Sequence, residues 1–318
     1  MLDIALLGTG GNMPMPGRFL SSVLIKYKGR KILMDCGEGT QVSMRVLKWG
    51  FKSLDIICIS HGHGDHIFGL PGLISTLANS GKRNPLTIIG PQGIGSVVKG
   101  LLVAMPYIPY DIYIIEDPKL PIGIKMGPEG TDLVTASSIN DSNLDMIIST
   151  LELEHSCPCI GYSLFIPRRP RFDVEKAILN KVPKEIWKRL QYGESLSYGG
   201  KLYKPDMVLG EARKGIKLSY ITDTRPIDDI VDFIRESDLF ICEGTYGDEE
   251  DLPKAIENKH MTFSEAGRLA FKAEVKELLL THFSPTMEDP YLYEKDILDI
   301  FPNTIIGYDG FVKILQYR

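Results

Sequence analysis

The chain has 318 residues, 43% of them hydrophobic and 24% charged, with a formal net charge of −5. That is the balance of a globular protein able to bury a core without disulfide staples, and the acidic total weighs against a general nucleic-acid binder. No window has the apolar length to span a bilayer, Asp3 stands where a signal peptide needs a basic region, and the five cysteines (Cys36, Cys58, Cys157, Cys159, Cys242) are odd in number and scattered, so a cytoplasmic protein with reduced thiols and no membrane contact is expected.

In chain order, short Ile-, Val- and Leu-rich runs predict strands at 3–7, 21–27, 30–35, 55–60, 86–90, 111–115, 146–153, 161–166, 216–222, 238–242, 276–281, 303–307 and 311–317. Helices are expected near 39–49, 69–79, 92–104, 226–236, 262–273 and 290–299. Thr224 with Pro226 predicts a start for the fourth of these, and Thr262 with Glu265 forms a capping box for the fifth. Strands interleaved with helices predict an α/β protein with more than one sheet. Residues 117–145, rich in Gly, Pro and Asp, read as an excursion. Residues 168–204 interrupt the strand pattern and read as an inserted arm with two short helices. This arm carries ten Lys or Arg against four acids, a local charge of +6 on a chain that is otherwise −11. A confined basic island on an acidic protein is an electrostatic footprint for a polyanion.

The predicted strand at 55–60 runs directly into His61-Gly-His-Gly-Asp-His66. Three imidazoles and a carboxylate within six residues need compensation when buried, and a metal is the simplest source of it. Imidazole and carboxylate suit zinc, and Gly62 and Gly64 permit the tight backbone such crowding requires. The chain has only six histidines. Of the other three, His155 and His282 end predicted strands, as does Asp223 within Thr222-Asp-Thr-Arg225, and strand ends are where α/β folds place sites.

These segments resemble the metallo-β-lactamase superfamily and, within it, the ribonuclease Z family. Leu7-Gly-Thr-Gly-Gly11, Arg18, Ser21-Ser22 and Met34-Asp-Cys-Gly-Glu-Gly-Thr-Gln41 are similar to its opening segments, the last carrying an acid that supports the metal site. Cys242-Glu-Gly-Thr-Tyr246, His260-Met-Thr-Phe-Ser-Glu-Ala266 and Leu280-Thr-His-Phe-Ser284 are similar to its later ones. The resemblance implies a four-layer αββα sandwich with the basic arm inserted in a single hydrolase domain. It implies two zinc ions, with manganese as the alternative, one held by His61, His63 and His155 and the other by Asp65, His66 and His282. Asp223 would bridge them, Asp65 would orient the attacking water, and His260, fixed by Glu243, would serve the leaving 3′ oxygen. The activity implied is cleavage of the 3′ trailer from precursor tRNA by metal-activated water, in a homodimer whose arm grips the substrate through Lys184, Lys188 and Arg189.

Two departures stand out. Cys242 occupies a position where the family usually has His, and the stretch 182–193 lacks the family's Gly-Pro pair. Trp187 lies three residues before Leu190 and is read as packing. Cys157-Pro-Cys159 is read as buried or supporting thiols, and Gly8–Gly11 as a strand-end turn lining the site. The rivals are another two-metal hydrolase of the superfamily, such as a cyclic-nucleotide phosphodiesterase or an arylsulfatase, and a non-catalytic RNA-binding module. The first has little use for the arm, and the second predicts eroded ligands.

Overall fold

The computed structural model describes residues 1–318 except 106, 137, 139, 140 and 318. Its first strands are β1 (Leu2–Gly8), β2 (Ser22–Tyr27), β3 (Arg30–Met34), β4 (Leu54–Cys58), β5 (Leu86–Gly90) and β6 (Ile112–Glu116). Next come β7 (Ile122–Gly127), β8 (Gly130–Thr135), β9 (Met146–Leu153), β10 (Cys159–Arg168), β11 (Leu196–Tyr198) and β12 (Lys201–Tyr203). The last are β13 (Arg213–Ile221), β14 (Leu239–Glu243), β15 (Leu278–Thr281), β16 (Thr304–Ile306) and β17 (Val312–Leu315). One sheet has the order β17-β1-β2-β3-β4-β5-β6, the other β16-β15-β14-β13-β10-β9-β7-β8, and β11 pairs only with β12. The segments β3 to β6 and β13 to β16 run parallel, and the remaining pairs are antiparallel.

Strands β3, β4 and β5 are buried at every residue because each has a neighbour layer on both faces; they are mostly apolar, and their buried charges Arg30 and Asp55 pair with each other. Side-chain alternation then decides which layer each residue serves. Ile56 and Cys58 face the core between the sheets, with Leu164, Tyr162 and Leu218 opposite. Ile57 and Ile59 face Leu73, Ile74 and Leu77 of the helix Leu70–Asn79, and Leu54 joins them because a bulge in the β3–β4 register breaks the alternation between it and Ile56. On the second sheet Phe240 and Cys242 meet Phe263, Ala266 and Ala270 of the helix Phe263–Lys272. The result is the expected four-layer αββα sandwich of the metallo-β-lactamase type.

Between β10 and β13 the chain leaves the sandwich to form the arm, whose structural limits are 169–212, beyond the predicted 204. It has a core of its own: Ala177, Val182, Ile186, Leu190, Leu196, Tyr203 and Val208 are buried together. Trp187 packs here as expected, 4.9 Å from Phe172, and its indole N–H donates to the Val182 carbonyl at 2.9 Å. Two short helices, Val174–Leu179 and Trp187–Gln191, were foreseen; the β11–β12 hairpin was not.

Other expectations need correction. The excursion at 117–145, apart from residues 137, 139 and 140, which lie outside the described residues, contains the β7–β8 hairpin that extends the second sheet. Its edge strand is half exposed and mixes Gly, Thr and Asp with only two large apolar residues, so the period-2 signal is weak. The helix expected at 226–236 begins only at Asp229, because Thr224 is committed elsewhere: its hydroxyl accepts from Glu154 N at 3.0 Å and its own N–H donates to Glu243. The helix expected at 92–104 spans Ile94–Leu101, that at 290–299 opens with a 3-10 turn at Pro290–Tyr293, and a helix at Leu252–Asn258 was not foreseen. The capping box at Thr262 and Glu265 is present in both directions. Among the described residues no helix is long and apolar enough to cross a membrane.

Candidate metal centre

The site forms at one rim of the sandwich, where strands of both sheets end. His61 follows β4, and its backbone pairs with Cys159 at the start of β10, while Ile160 N donates to Ser60 O at 2.9 Å. The two sheets are thereby stitched together at the motif. His63 then caps a single helical turn, Gly64–Ile67, which swings Asp65 and His66 back toward the rim. From the second sheet come His155 after β9, Asp223 after β13, Glu243 at the end of β14 and His282 after β15. Asp35, Asp223 and His282 all hold positive φ (55°, 47° and 58°), backbone that non-glycine residues adopt at a cost and that tertiary contacts must sustain. Gly11 is required by proximity, since a Cβ there would lie 2.5 Å from the His282 ring.

Seven predicted ligands converge in two groups that share one carboxylate. Asp223 Oδ2 lies 3.6 Å from His61 Nε2 and 3.9 Å from His155 Nε2. Its other oxygen, Oδ1, lies 3.4 Å from His66 Nε2 and 3.2 Å from His282 Nε2. His63 Nδ1 joins the first group, 3.2 Å from His155 Nε2, and Asp65 Oδ2 the second, 3.4 Å from His282 Nε2. Within each group the ligand atoms lie within 4.8 Å of one another. The donor set passes a physical test for metal. His61 Nε2 is buried and has no hydrogen-bond partner, which costs free energy unless the lone pair is used, and His66 and His282 bring two ring nitrogens to 3.2 Å. Both features are accounted for when the nitrogens aim at cations.

The ring atoms turned away from the centre are anchored. His66 Nδ1–H donates to Asp35 Oδ2 at 2.8 Å; the same carboxylate accepts from Ser60 N (2.7 Å), Ser60 Oγ (2.9 Å) and Tyr220 OH (2.7 Å). His61 Nδ1 meets Ser60 Oγ at 2.9 Å, His155 Nδ1 the Lys259 carbonyl at 3.2 Å, and His282 Nδ1 Thr245 Oγ1 at 3.0 Å. Such partners fix tautomer and ring orientation. Of these, Ser60, Thr245 and Tyr220 were not singled out from sequence. Ser60 adjoins the quoted His61–His66 motif and Thr245 lies within the quoted segment 242–246, but Tyr220 carries no signal, being one more aromatic residue in a core strand.

His260 stacks on His282 with ring centroids 5.5 Å apart, and its Nδ1 lies 3.1 Å from Glu243 Oε2. Burial alone would lower the His260 pKa, but the Glu243 carboxylate outweighs it and raises the value to about 9. Glu243 is wholly buried and also accepts from Thr224 N at 2.7 Å and Met261 N at 3.1 Å. Arg225 fastens the His260 loop, holding Glu265 through both Nη atoms and donating to the His260 carbonyl. Burial pushes the His61 pKa down, which keeps that imidazole neutral; burial would raise Asp65, but His282 and His66 hold it well below the carboxylate range.

His63, Asp65, His155, Asp223, Thr245, His260 and His282 line a cleft of about 880 Å³, and His61 and His66 are buried behind them. Lys184, Lys188 and Arg189 are not among its lining residues; they lie on the arm, where Glu194 pairs with Arg189 at the surface. Cys242 is buried in the apolar layer behind β14, so whatever stands there faces away from the cleft. Cys157 and Cys159 belong to neither ligand group, and the Cys159 thiol donates to the carbonyls of Thr222 and Asp223 at 3.8 and 3.7 Å.

A family model described as Anti-Pycsar protein Apyc1 matches residues 2–99. Two solved structures share the fold over nearly the whole chain. The short form of human tRNase Z has a TM-score of 0.66 at 23% identity, covering 99% of both chains. The metallo-β-lactamase fold protein YhfI from Bacillus subtilis has a TM-score of 0.67 at 20% identity, covering 99% of this chain and 100% of its own. The ribonuclease Z of Alkaliphilus oremlandii is 58% identical over all 318 residues, with both chains covered completely. With its ligand groups intact and a relative this similar along its full length, the chain belongs to the ribonuclease Z family.

Proposed function

We propose that the chain is a zinc-dependent endoribonuclease that removes the 3′ trailer from precursor tRNA. The observation that carries the chemistry is the division of Asp223: one oxygen serves His61 and His155, the other His66 and His282. A carboxylate so divided suits two ions held by His61, His63 and His155 and by Asp65, His66 and His282. Two bound zinc ions, or manganese in their place, would supply Lewis acidity that activates water and neutralises charge at phosphorus. The chain's own residues do the rest. Asp65, whose Oδ2 accepts from Asn12 N at 2.7 Å, orients the incoming water and takes its proton. Glu243 engages His260 Nδ1, so Nε2–H is the donor left for the departing 3′ oxygen. Family membership supports the tRNA substrate, and the basic arm supports an extended polyanion outside the cleft.

In this reading the sandwich is one hydrolase domain and the arm an inserted exosite working through Lys184, Lys188 and Arg189. The enzyme acts in the cytoplasm as a homodimer. The test is incubation of purified protein with a 3′-extended tRNA precursor, with and without chelator, and mapping of the product ends. A chelator-sensitive cut leaving a 3′ hydroxyl on the tRNA is expected. Robust turnover of a small phosphodiester with the precursor left intact would favour another hydrolase of the fold. Fewer than about one metal per chain and no turnover would favour a binding module.

A further inference from the structure

The two banks of the cleft differ in chemistry. One presents Ser156, Asn258 and Lys259 beside His155 and His260; the other presents Pro14 and Phe68 beside Asp65, with Asn12 and Glu38 nearby. Phe68 is conspicuous on the second bank because 61% of it is exposed, four residues after Gly64 of the metal motif. Its position is determined by the motif itself. The ring lies against Gly64 so closely that a Cβ there would come within 2.5 Å of it, and Phe68 N–H donates to the Gly64 carbonyl at 2.8 Å. One face of the ring is therefore supported by backbone, and the side chain otherwise opens into the cleft.

Resting on the reading above, in-line displacement assigns the banks. The incoming and leaving oxygens occupy opposite sides of phosphorus. With Asp65 at the incoming side and His260 at the leaving 3′ oxygen, the nucleotide that keeps the 3′ hydroxyl sits on the polar bank. The nucleotide beyond the cut keeps the phosphate through its 5′ oxygen, an equatorial substituent that leaves beside this axis, and on the bank away from His260 the exposed ring of Phe68 is the aromatic face its base can meet. We propose that Phe68 is a substrate-positioning residue that stacks on the base of the first trailer nucleotide. Every base has a π-face, so such a platform holds trailers of any sequence, and it sets the register of the scissile phosphate without hydrogen-bond readout. Pro14 adds a second apolar surface beside the ring, and the Glu38 carboxylate near it disfavours a phosphate there.

The experiment is a cycle between protein and substrate. Single-turnover cleavage is measured for the wild type, F68A and F68W on a tRNA precursor with an ordinary first trailer nucleotide and on one that is abasic there. Base–aromatic stacking of about 1–3 kcal/mol corresponds to about 5- to 150-fold. F68A is expected to lose that factor on the ordinary precursor and little or nothing further on the abasic one, while F68W restores the ordinary rate. Equal losses on both precursors would overturn the proposal and make Phe68 a support of the metal turn. A fall in oligomeric mass of F68A, with equal losses, would make it a subunit contact and overturn it equally. Failure of the wild type to cut either precursor would instead sink the tRNA reading on which the proposal rests.

Discussion

The substitution Asp35→Asn tests whether anchoring of the ligands, rather than the ligands alone, holds the metal centre. Asp35 is fully buried and accepts four hydrogen bonds between 2.7 and 2.9 Å, from His66, Ser60 N, Ser60 Oγ and Tyr220. Asparagine fits the positive φ, but its single oxygen accepts two of the four bonds and its amide then faces donors. The Ser60 hydroxyl can turn away; the Ser60 N–H and Tyr220 OH have less freedom. Two charge-assisted bonds weakened, partly offset by that rotation, gives a loss of about 2–4 kcal/mol. At about 2.1 cal/mol/K of unfolding entropy per residue this lowers Tm by about 3–6 °C. Loss of the His66 anchor should also weaken the second ligand group about 10- to 100-fold in metal affinity. Thermal denaturation of metal-free protein reads the first effect, and competition with a calibrated chelator reads the second. Activity should recover at saturating metal. Unchanged metal affinity in a D35N protein with the lowered Tm would refute the anchoring argument, because the hydrogen bonds would then serve the fold alone.

Further outcomes follow from the same geometry. H260A should lower the rate of tRNA cleavage about 10²- to 10⁴-fold while metal content stays at the wild-type level, and E243Q should lower it less; loss of metal in H260A, read by elemental analysis, would contradict its placement outside the two ligand groups. D65A should abolish turnover on tRNA and on a small phosphodiester alike, since it serves both the second ligand group and the water. On the arm, K184A and K188A should each weaken precursor binding and flatten its salt dependence by about one unit of slope. R189A should do so less, because Glu194 already engages Arg189; binding isotherms at several salt concentrations decide this. C242H should destabilise the protein by about 1–3 kcal/mol without a gain in turnover per bound metal, because it puts a larger, polar imidazole into the apolar layer with Phe263, Ala266 and Ala270; denaturant unfolding beside activity measures both.

Cys242 also shows how sequence likeness and structure divide the work. Position by position, a missing family histidine next to a catalytic segment reads as a loss at the site. In the folded chain strand alternation puts Glu243 toward the cleft and Cys242 into the layer behind it. The β7–β8 hairpin and the helix at Leu252–Asn258 were hidden for a different reason: edge strands and short surface helices bury little, so hydrophobic period carries little of their signal.

What the sequence determined by itself was the ligand chemistry and the layered core. His61 to His66 fall within one strand-to-helix turn, a local geometry that two glycines permit, and apolar runs at period two announce strands whose faces must be covered. Only the tertiary structure decided how residues far apart along the chain meet. Asp223 divides its two oxygens between ligand groups because β13 ends between β10 and β14, and Tyr220 reaches Asp35 across the interface between the sheets. Hydrophobic patterning says that a residue is buried, but it does not say against what. That second fact depends on the packing of two sheets whose register is set by contacts distant in sequence, and in this protein that register aligns the anchors behind the candidate metal ligands.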